Sequence, residues 1–275
     1  VQWDSRRMLP EMPSSRMPGV EVPCVMFRFL FRNRDFMHKI ASMHKQEIPP
    51  TFEPPLVEQA FNRLRQDVLS GNFEAGTKLK LDELQSAYGY SSSPLREALS
   101  RLAQEGLVRA DERRGFRVAP ISEDDLADIT RMRVMLDVPA LRESIAHGDD
   151  AWEAAILAAF HRLEKVESRL SDGPVILDNE WSQLHRAFHL SLLAACPSLR
   201  QRTWGASLFD QAERYRRFSA RHRKTARRKS NEHRKIMDAV LRRDTDTACA
   251  LLEEHILSTQ RNVLAALRAA EAAQT

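Results

Sequence analysis

The sequence contains no hydrophobic run long enough to cross a membrane. Its most apolar stretch, residues 22–31, is short and is interrupted by Arg28. A transmembrane helix needs roughly 18 or more consecutive apolar residues. A membrane protein is therefore not expected.

Cysteine is scarce, and its spacing fits neither a disulfide framework nor a zinc ribbon. Cys24, Cys196 and Cys249 are far apart and form no C-x-x-C pair. An odd number of widely spaced cysteines is typical of a reducing compartment, so we expect a cytoplasmic protein. We also expect Cys196 and Cys249 to be buried as small hydrophobic side chains.

Motifs of several enzyme classes and of RNA-binding modules are missing as well. The chain has no H-E-x-x-H metalloprotease motif, no nucleophile elbow and no phosphate-binding loop,. It also lacks the aromatic motifs on which RNA bases stack. The formal net charge of +4 indicates little about partners. The order of regular and irregular segments is more informative.

Composition divides the chain into three regions, residues 1–50, 51–120 and 121–275. The first region contains six prolines and no sustained helical or strand period. We expect it to be a disordered tail or translated upstream sequence, with Met43 as a plausible start. From residue 51 onward, apolar residues recur at helical spacing.

The second region predicts three helices followed by a two-stranded hairpin. The helices are predicted over 56–70, 81–88 and 91–105, and the strands over 107–108 and 116–118. Gly71, Gly89 and Gly106 end the three helices. This order of elements is that of a winged helix-turn-helix, whose third helix enters the major groove of DNA.

The third helix and the hairpin turn carry the residues expected to contact DNA. A helix N-terminus offers free N–H groups and a partial positive charge, and short serines let a phosphate approach closely. One turn further, Arg96 can reach a phosphate or a base edge. In the alternative, Arg96 pairs with Glu83 or Glu97 in a small domain that binds no DNA. The predicted DNA-binding residues are Ser91, Ser92, Ser93, Arg96, Arg101, Arg113, Arg114 and Gly115.

The third region predicts helices only. A capping pattern at Ser122 and Asp125 opens a helix that extends to Gly148,. Without a strand pattern, the region is expected to form an antiparallel helical bundle, so the fold class is mainly α. Further helices are predicted over about 150–171, 176–196, 199–219, 230–243 and 246–271,.

The second region resembles the DNA-binding domain of a known family. The stretch PLREALSRLAQEGLVRADERRGFRVAP (94–120), preceded by AGTKLKLDELQSAYG (75–89), is similar to the GntR family of bacterial regulators. The family often carries Arg where this chain has Ser92, which leaves Arg96 and the wing as the firmer predicted contacts.

The third region resembles the FadR-like branch of that family, which has an all-helical FCD effector domain. The segments LHRAFHLSLLAACPS and ERYRR are most similar to carbon-starvation-induced, glutarate-responsive repressors. The resemblance implies a homodimeric regulator, acting as a repressor, that binds palindromic operator DNA. It also implies that a small carboxylate such as glutarate releases the operator.

Four histidines form a candidate metal site in the third region. His185 and His189 lie four residues apart, so both project from one helix face, and His233 and His255 lie on two later helices,. Converging imidazoles would suit Zn²⁺ or Ni²⁺. Spacing alone leaves open that the histidines are unconnected.

The resemblance implies that His189, His233 and His255 are metal ligands. At the first ligand position Asp or Asn is more usual than His185. A neutral ligand there favours an anionic effector but weakens the hold on the metal. A loosely bound ion and direct contact between the histidines and the effector both remain open.

Arginine and tyrosine side chains provide candidate anchors for that effector. Arg133 matches the family's R-x-x-L-[DE] pattern, here RVMLD, and the resemblance implies that it faces the effector cavity. A guanidinium can hold a carboxylate by two parallel hydrogen bonds. Tyr215 and Arg216 are candidates for a second anchor, which favours a dicarboxylate. Alternatively, Arg133 pairs with Asp137, and Tyr215 packs in the core.

The basic stretch 214–235 allows two interpretations of its own. It contains eleven Lys and Arg residues against one Glu. Such a run is either a solvated helix face or a phosphate-binding strip.

The sequence thus predicts a ligand-responsive DNA-binding regulator. The alternative is a metal-dependent, hydrolase-like helical protein that uses the histidine cluster. An RNA-binding or structural module is a further alternative.

Overall fold

The computed structural model describes residues 53–111, 115–169, 178–222 and 231–272. Its elements in chain order are α1 (Leu56–Ser70), β1 (Lys78–Leu79), α2 (Leu81–Tyr88), α3 (Ser92–Gln104), β2 (Val108–Asp111), β3 (Gly115–Val118), α4 (Glu123–His147), α5 (Asp150–Glu167), α6 (Asn179–Leu192), α7 (Leu199–His222), α8 (Glu232–Leu241) and α9 (Thr245–Ala272). Residues 1–50, for which a disordered tail was predicted, lie outside the described ranges.

The elements α1 to β3 form a three-helix core with a small sheet. Leu64, Leu95, Leu99 and Leu102 are fully buried at the centre of this core. Truncating one of these leucines to Ala would cost ~2–5 kcal/mol of stability. Helix α1 ends at Gly71, whose φ of 70° places it in the left-handed region that favours glycine,.

The sheet has three antiparallel strands in the order β1-β3-β2. The hairpin of β2 and β3 was expected from the sequence, and Val108 pairs with Val118 across it. Strand β1 was not expected. It has only two residues, and Lys78 pairs with Arg117 while Leu79 pairs with Phe116. A strand of this length is too short to produce an alternating pattern in the sequence.

The elements α4 to α9 are all helical. Helix α4 begins at Ser122, whose hydroxyl accepts from the N–H of Asp125 at 3.2 Å, as the capping pattern predicted. Helix α4 packs against α7 and α9, and α5 packs against α6. The largest buried side chains in the core of this part include Trp181, Phe188 and Leu163.

Both cysteines in the described ranges, Cys196 and Cys249, are buried and carry free thiols. Within the same ranges, no helix is both long and apolar enough to span a bilayer.

Candidate effector and DNA-binding sites

Helix α6 places His185 and His189 one turn apart on its buried face. Asp178 caps the start of the helix, and its carboxylate accepts from the N–H of Trp181 at 2.7 Å. The two histidines are 2% and 4% exposed. Their Nε2 atoms lie 3.1 Å apart, so the two rings present their lone pairs to one point.

Helices α8 and α9 bring His233 and His255 to the same point. The Nε2 atom of His233 lies 3.4 Å from that of His189, and the rings of His189 and His255 are stacked with centroids 5.0 Å apart. One ligand atom from each of the four histidines lies within 4.8 Å of the others. The structure thus gathers all four histidines into one buried group, called here the histidine centre.

The donor set of the histidine centre fits a divalent ion. With Zn–N bonds of about 2.0–2.1 Å, tetrahedral ligands stand about 3.4 Å apart. The Nε2 separations of 3.1 and 3.4 Å are close to that value. Imidazole nitrogens suit Zn²⁺, Ni²⁺ and Cu²⁺ better than Mg²⁺ or Ca²⁺.

Two carboxylates orient the outer nitrogens of the histidine centre. The Oε2 atom of Glu232 lies 2.8 Å from Nδ1 of His255, and Oε1 of Glu167 lies 3.6 Å from Nδ1 of His233. Such partners fix the ring orientation and raise ligand basicity. Neither glutamate was predicted from the sequence. The adjacency of Glu232 to His233 was a weak signal, since side chains next to each other in a helix face different ways.

His185 is held differently from His233 and His255. Its Nδ1 is buried and has no hydrogen-bond partner within the described ranges. Its ring instead stacks on Trp181, with centroids 4.4 Å apart and an interplanar angle of 15°. The indole N–H of Trp181 donates to Glu167 at 3.2 Å.

Burial favours the neutral form of His185, His189 and His255. It lowers the pKa of His185 well below its usual value, and the neighbouring His189 and His233 lower it further. Burial, followed by His255 and His233, has the same effect on the pKa of His189. Burial lowers the pKa of His255 to about 4, although the hydrogen bond to Glu232 raises it. Neutral imidazoles have the lone pairs that metal binding requires.

Arg133 lies beside the histidine centre and is paired with Asp137. Its Nε donates to Oδ2 of Asp137 at 3.0 Å, and both side chains are buried. Together with His189 and Phe209, the pair lines a cavity of about 10 Å³, which is room for roughly one water molecule. Arg133 therefore lines a cavity and also pairs with Asp137, so the two interpretations of Arg133 do not exclude each other. The cavity as it stands is too small for a dicarboxylate.

Arg216 reaches the same place from α7. It is buried, and its Nε donates to Glu213 at 2.9 Å while a second nitrogen donates to the carbonyl oxygen of Phe209 at 3.1 Å. The guanidinium groups of Arg216 and Arg133 lie 4.3 and 4.9 Å from the centroid of the Phe209 ring. Burial lowers the pKa of Arg216, and Glu213 opposes this shift. The structure thus brings two of the three predicted effector anchors together.

Tyr215 does not line this cavity and packs in the core, as in the alternative interpretation. Its hydroxyl donates to Asp125 at 2.5 Å and accepts from the N–H of Ser122 at 3.3 Å. The ring belongs to a buried cluster that includes Leu126 and Ile129. Tyr215 therefore stabilises the start of α4. Consecutive side chains of a helix point about 100° apart, so Tyr215 and Arg216 lie on different faces of α7.

The N-terminal end of α3 is free on its outer side. Ser91, Ser92, Ser93 and Arg96 are exposed. No hydrogen bond or ion pair holds Arg96 within the described ranges, so the alternative pairing with Glu83 or Glu97 is not seen there. Gly115 starts β3 with a φ of 89°, and among the described residues other than its chain neighbours no atom lies within 4 Å of the position that a Cβ would take. Arg113 and Arg114 lie outside the described residues.

Arg101 has a different environment from Arg96. It donates to Glu58 of α1 at 2.9 Å, and its guanidinium lies over the Phe61 ring at 4.0 Å. It therefore holds α3 against α1, and its contact with DNA stays a prediction. Arg101 lies on the side of α3 that packs on α1, whereas Arg96 lies on the outer side.

Residues 214–222 of the basic stretch 214–235 form the end of α7. Their arginines fit neither a solvated helix face nor a phosphate-binding strip. Arg214, Arg216 and Arg217 are buried. Arg214 donates to the carbonyl oxygen of Pro120 at 3.2 Å, and Arg217 donates to Glu213 at 3.0 Å. These arginines are internal structural cations. Residues 223–230 lie outside the described ranges.

Helix α7 contacts the N-terminal part through ion pairs that the sequence did not reveal. Asp210 accepts from Nε of Arg186 at 2.7 Å and from a second nitrogen of that guanidinium at 2.9 Å. It also pairs with Arg65 of α1, which in turn donates to Glu105 at 3.0 Å. At the C-terminal end of α7, Arg221 donates to the carbonyl oxygen of Gly71 at 3.1 Å.

The chain matches two family models and several curated proteins. Residues 56–118 match the bacterial regulatory proteins of the gntR family, and residues 128–258 match the FCD domain. An uncharacterized HTH-type transcriptional regulator, BphR of Paraburkholderia xenovorans, is 40% identical over 204 residues, which cover 74% of this chain and 83% of that protein. The HTH-type transcriptional repressor GlaR of Escherichia coli is 37% identical over 199 residues, covering 71% and 90%.

Solved structures show the same fold. A putative GntR transcriptional regulator from a Rhodococcus species superposes with a TM-score of 0.60 at 19% identity, covering 76% of this chain and 97% of that one. The mainly helical fold with an N-terminal winged helix-turn-helix is thereby confirmed. The relatives are transcription regulators, so the hydrolase alternative is wrong. The chain belongs to the GntR family of bacterial transcription regulators and carries an FCD effector-binding domain.

Proposed function

We propose that the protein is a cytoplasmic, dimeric repressor that binds palindromic operator DNA and releases it when a small dicarboxylate such as glutarate binds. The observation that carries this proposal is the position of Arg133 in the wall of a buried cavity beside the histidine centre, with Arg216 near the Phe209 ring that lines the same cavity. The name of the similar GlaR protein supports the assignment as a repressor.

The DNA contacts come from the free end of α3 and from the wing. The N–H groups of Ser91, Ser92 and Ser93 face a phosphate, and Arg96 reaches into the major groove. The neighbouring DNA backbone is contacted by Arg113 and Arg114 between β2 and β3, and by Gly115 at the start of β3. One winged domain covers one half-site, so two copies of the chain are needed for a palindrome.

The effector site combines two guanidinium groups with the histidine centre. Arg133 holds one carboxylate, and Arg216 supplies a second cationic anchor for the other. His185, His189, His233 and His255 would hold a Zn²⁺ or Ni²⁺ ion. When bound, such an ion adds positive charge that favours an anionic ligand.

Helix α7 provides a route from the effector site to the operator. Because the cavity has room for about one water molecule, a diacid must displace one of its walls. Phe209 of α7 is such a wall, and Asp210 and Arg221 of the same helix contact α1 and the residue that follows it. A shift of α7 would therefore move the winged domain. The ligand releases DNA only if it binds the shifted arrangement more tightly.

The proposal is tested with an operator selected from random double-stranded DNA. Sedimentation should give two chains per palindrome, and fluorescence anisotropy should show weaker operator binding when glutarate is added. A single chain per site, or an operator affinity that no C4–C6 diacid changes, would overturn the proposal.

Substitution of Arg133 sharpens this test. Arg133→Lys keeps a cationic partner for Asp137 but loses the two parallel hydrogen bonds to a carboxylate. We expect it to bind operator normally and to respond to glutarate weakly or not at all. The matched control is Arg142→Lys on the same helix, an exposed arginine paired with Asp246, which should respond like the wild type.

A further inference from the structure

Asp137 carries an unused hydrogen-bond acceptor beside Arg133. The side chain is buried, and its Oδ2 atom lies 3.0 Å from both Nε and a second guanidinium nitrogen of Arg133. The other oxygen, Oδ1, is also buried and has no hydrogen-bond partner within the described part of the chain. Buried carboxylate oxygens are rarely left without a donor, because desolvation is then uncompensated.

The missing side chain of Gly205 leaves room next to this oxygen. A Cβ atom at Gly205 would lie 2.7 Å from Oδ1 of Asp137. Gly205, Asp137, Arg133 and His189 all line the same water-sized cavity. Glycine in the interior of a helix such as α7 lowers stability, so its presence here is consistent with a space that must stay open.

We propose that the effector is an α-hydroxy acid whose hydroxyl group donates to Oδ1 of Asp137. This rests on the proposed function, because the same ligand's carboxylate binds Arg133. Oδ2 of Asp137 is fixed on that guanidinium, so the carboxylate and the donor of the ligand must lie next to each other. A hydroxyl on the carbon that bears the carboxylate has this arrangement.

The charge of the cavity favours a hydroxyl over an ammonium donor. Arg133 and Arg216 both lie near the Phe209 ring, and each is paired with a carboxylate, Asp137 or Glu213. The two pairs are neutral, so no surplus negative charge offsets the cost of burying an ammonium group. Burial raises the pKa of Asp137, although Arg133 opposes the shift. A hydrogen bond donated to Oδ1 stabilises the carboxylate form that burial disfavours.

Calorimetry on the full chain with matched acid pairs tests the inference. The probes are succinate with malate, and glutarate with the two enantiomers of 2-hydroxyglutarate. We expect at least one hydroxy acid to bind roughly tenfold or more tightly than its parent acid, since it donates to a charged, desolvated acceptor. Glutarate binding without any preference for a hydroxy acid would overturn this inference and leave the proposed function standing. If no acid binds, both fail.

Two variants show whether Asp137 is the source of the preference. In Asp137→Asn the amide oxygen stays on Arg133, so an NH2 donor faces the ligand in place of the acceptor Oδ1. Gly205→Ala fills the space beside that position. Either variant should bring the ratio of hydroxy-acid affinity to parent-acid affinity closer to one. The control Asp128→Asn removes an exposed carboxylate of the same helix and should keep the wild-type ratio. If Asp137→Asn fails to fold, Gly205→Ala still decides. A wild-type ratio in a folded variant at either site would contradict the inference.

Discussion

Phe209 and Asp210 are consecutive residues of α7 that contact different parts of the molecule. The Phe209 ring lies 5.2 Å from the ring of His189 in the histidine centre. The Asp210 carboxylate binds Arg186 of α6 and Arg65 of α1. One helix turn thus joins the effector site to the winged domain.

Asp210→Asn is expected to weaken the link between effector and operator. The substitution removes the charge that Arg65 and Arg186 share, so α1 no longer follows α7. The operator dissociation constants with and without glutarate should become more nearly equal than in the wild type. Fluorescence anisotropy measures this ratio. Asp128→Asn serves as the control, and a wild-type ratio for Asp210→Asn would show that the ion pairs carry no coupling.

Arg96→Ala is expected to weaken operator binding by about 1–3 kcal/mol, because the exposed guanidinium contacts a base edge or a phosphate. The matched control is Arg131→Ala, since Arg131 is also exposed but lies on α4. Both variants are compared by anisotropy at one salt concentration, because phosphate contacts depend strongly on salt. Equal affinities for the two variants would show that α3 is not the recognition helix.

Metal binding is expected to depend on the histidine centre and on its outer carboxylates. After dialysis against zinc, native mass spectrometry should show about one zinc ion per chain of the wild-type protein. The His189→Ala variant should bind no zinc. Glu232→Gln should lower zinc affinity about 10–100-fold, because the orientation of His255 is lost. Glu164→Gln removes an exposed carboxylate that pairs with Arg234 and should bind zinc normally. Equal zinc affinity for both glutamate variants would contradict the orienting role of Glu232.

The metal-free protein is expected to lose stability as the pH falls from about 6.5 to about 4. Burial lowers the pKa of His255 from 6.5 to about 4, so in this window the unfolded chain binds more protons than the folded chain. At pH 5 the loss from His255 alone is about 2 kcal/mol. Urea unfolding at pH 7 and pH 5 measures it. His255→Gln should be less sensitive to pH than the exposed control His161→Gln, and equal sensitivity would contradict the assignment.

The sequence revealed most of what depends on local pattern. Helical periodicity and the glycine at position 71 located α1, and the four-residue spacing of His185 and His189 placed both on one face. Strand β1 was missed because two residues carry no period. The ion pair between Arg65 and Asp210 joins positions 145 residues apart, and no local pattern encodes such a contact.

Side-chain direction within a helix was harder to predict than the helix itself. Tyr215 and Arg216 are neighbours in a stretch with many charged residues, so the sequence did not show which one lies near Phe209 and the histidine centre. Arg101 looked free because its partner, Glu58, lies on another helix. Each case depends on packing between elements that are distant in sequence.

The most direct test of the coupling between effector and operator is the glutarate affinity of the free protein and of the operator-bound protein, measured by calorimetry. Linkage requires that a ligand which releases the operator also binds more weakly to the complex, by the same factor. We predict a glutarate affinity about 5–150-fold lower for the complex than for the free protein. Equal affinities for the two forms would contradict the account.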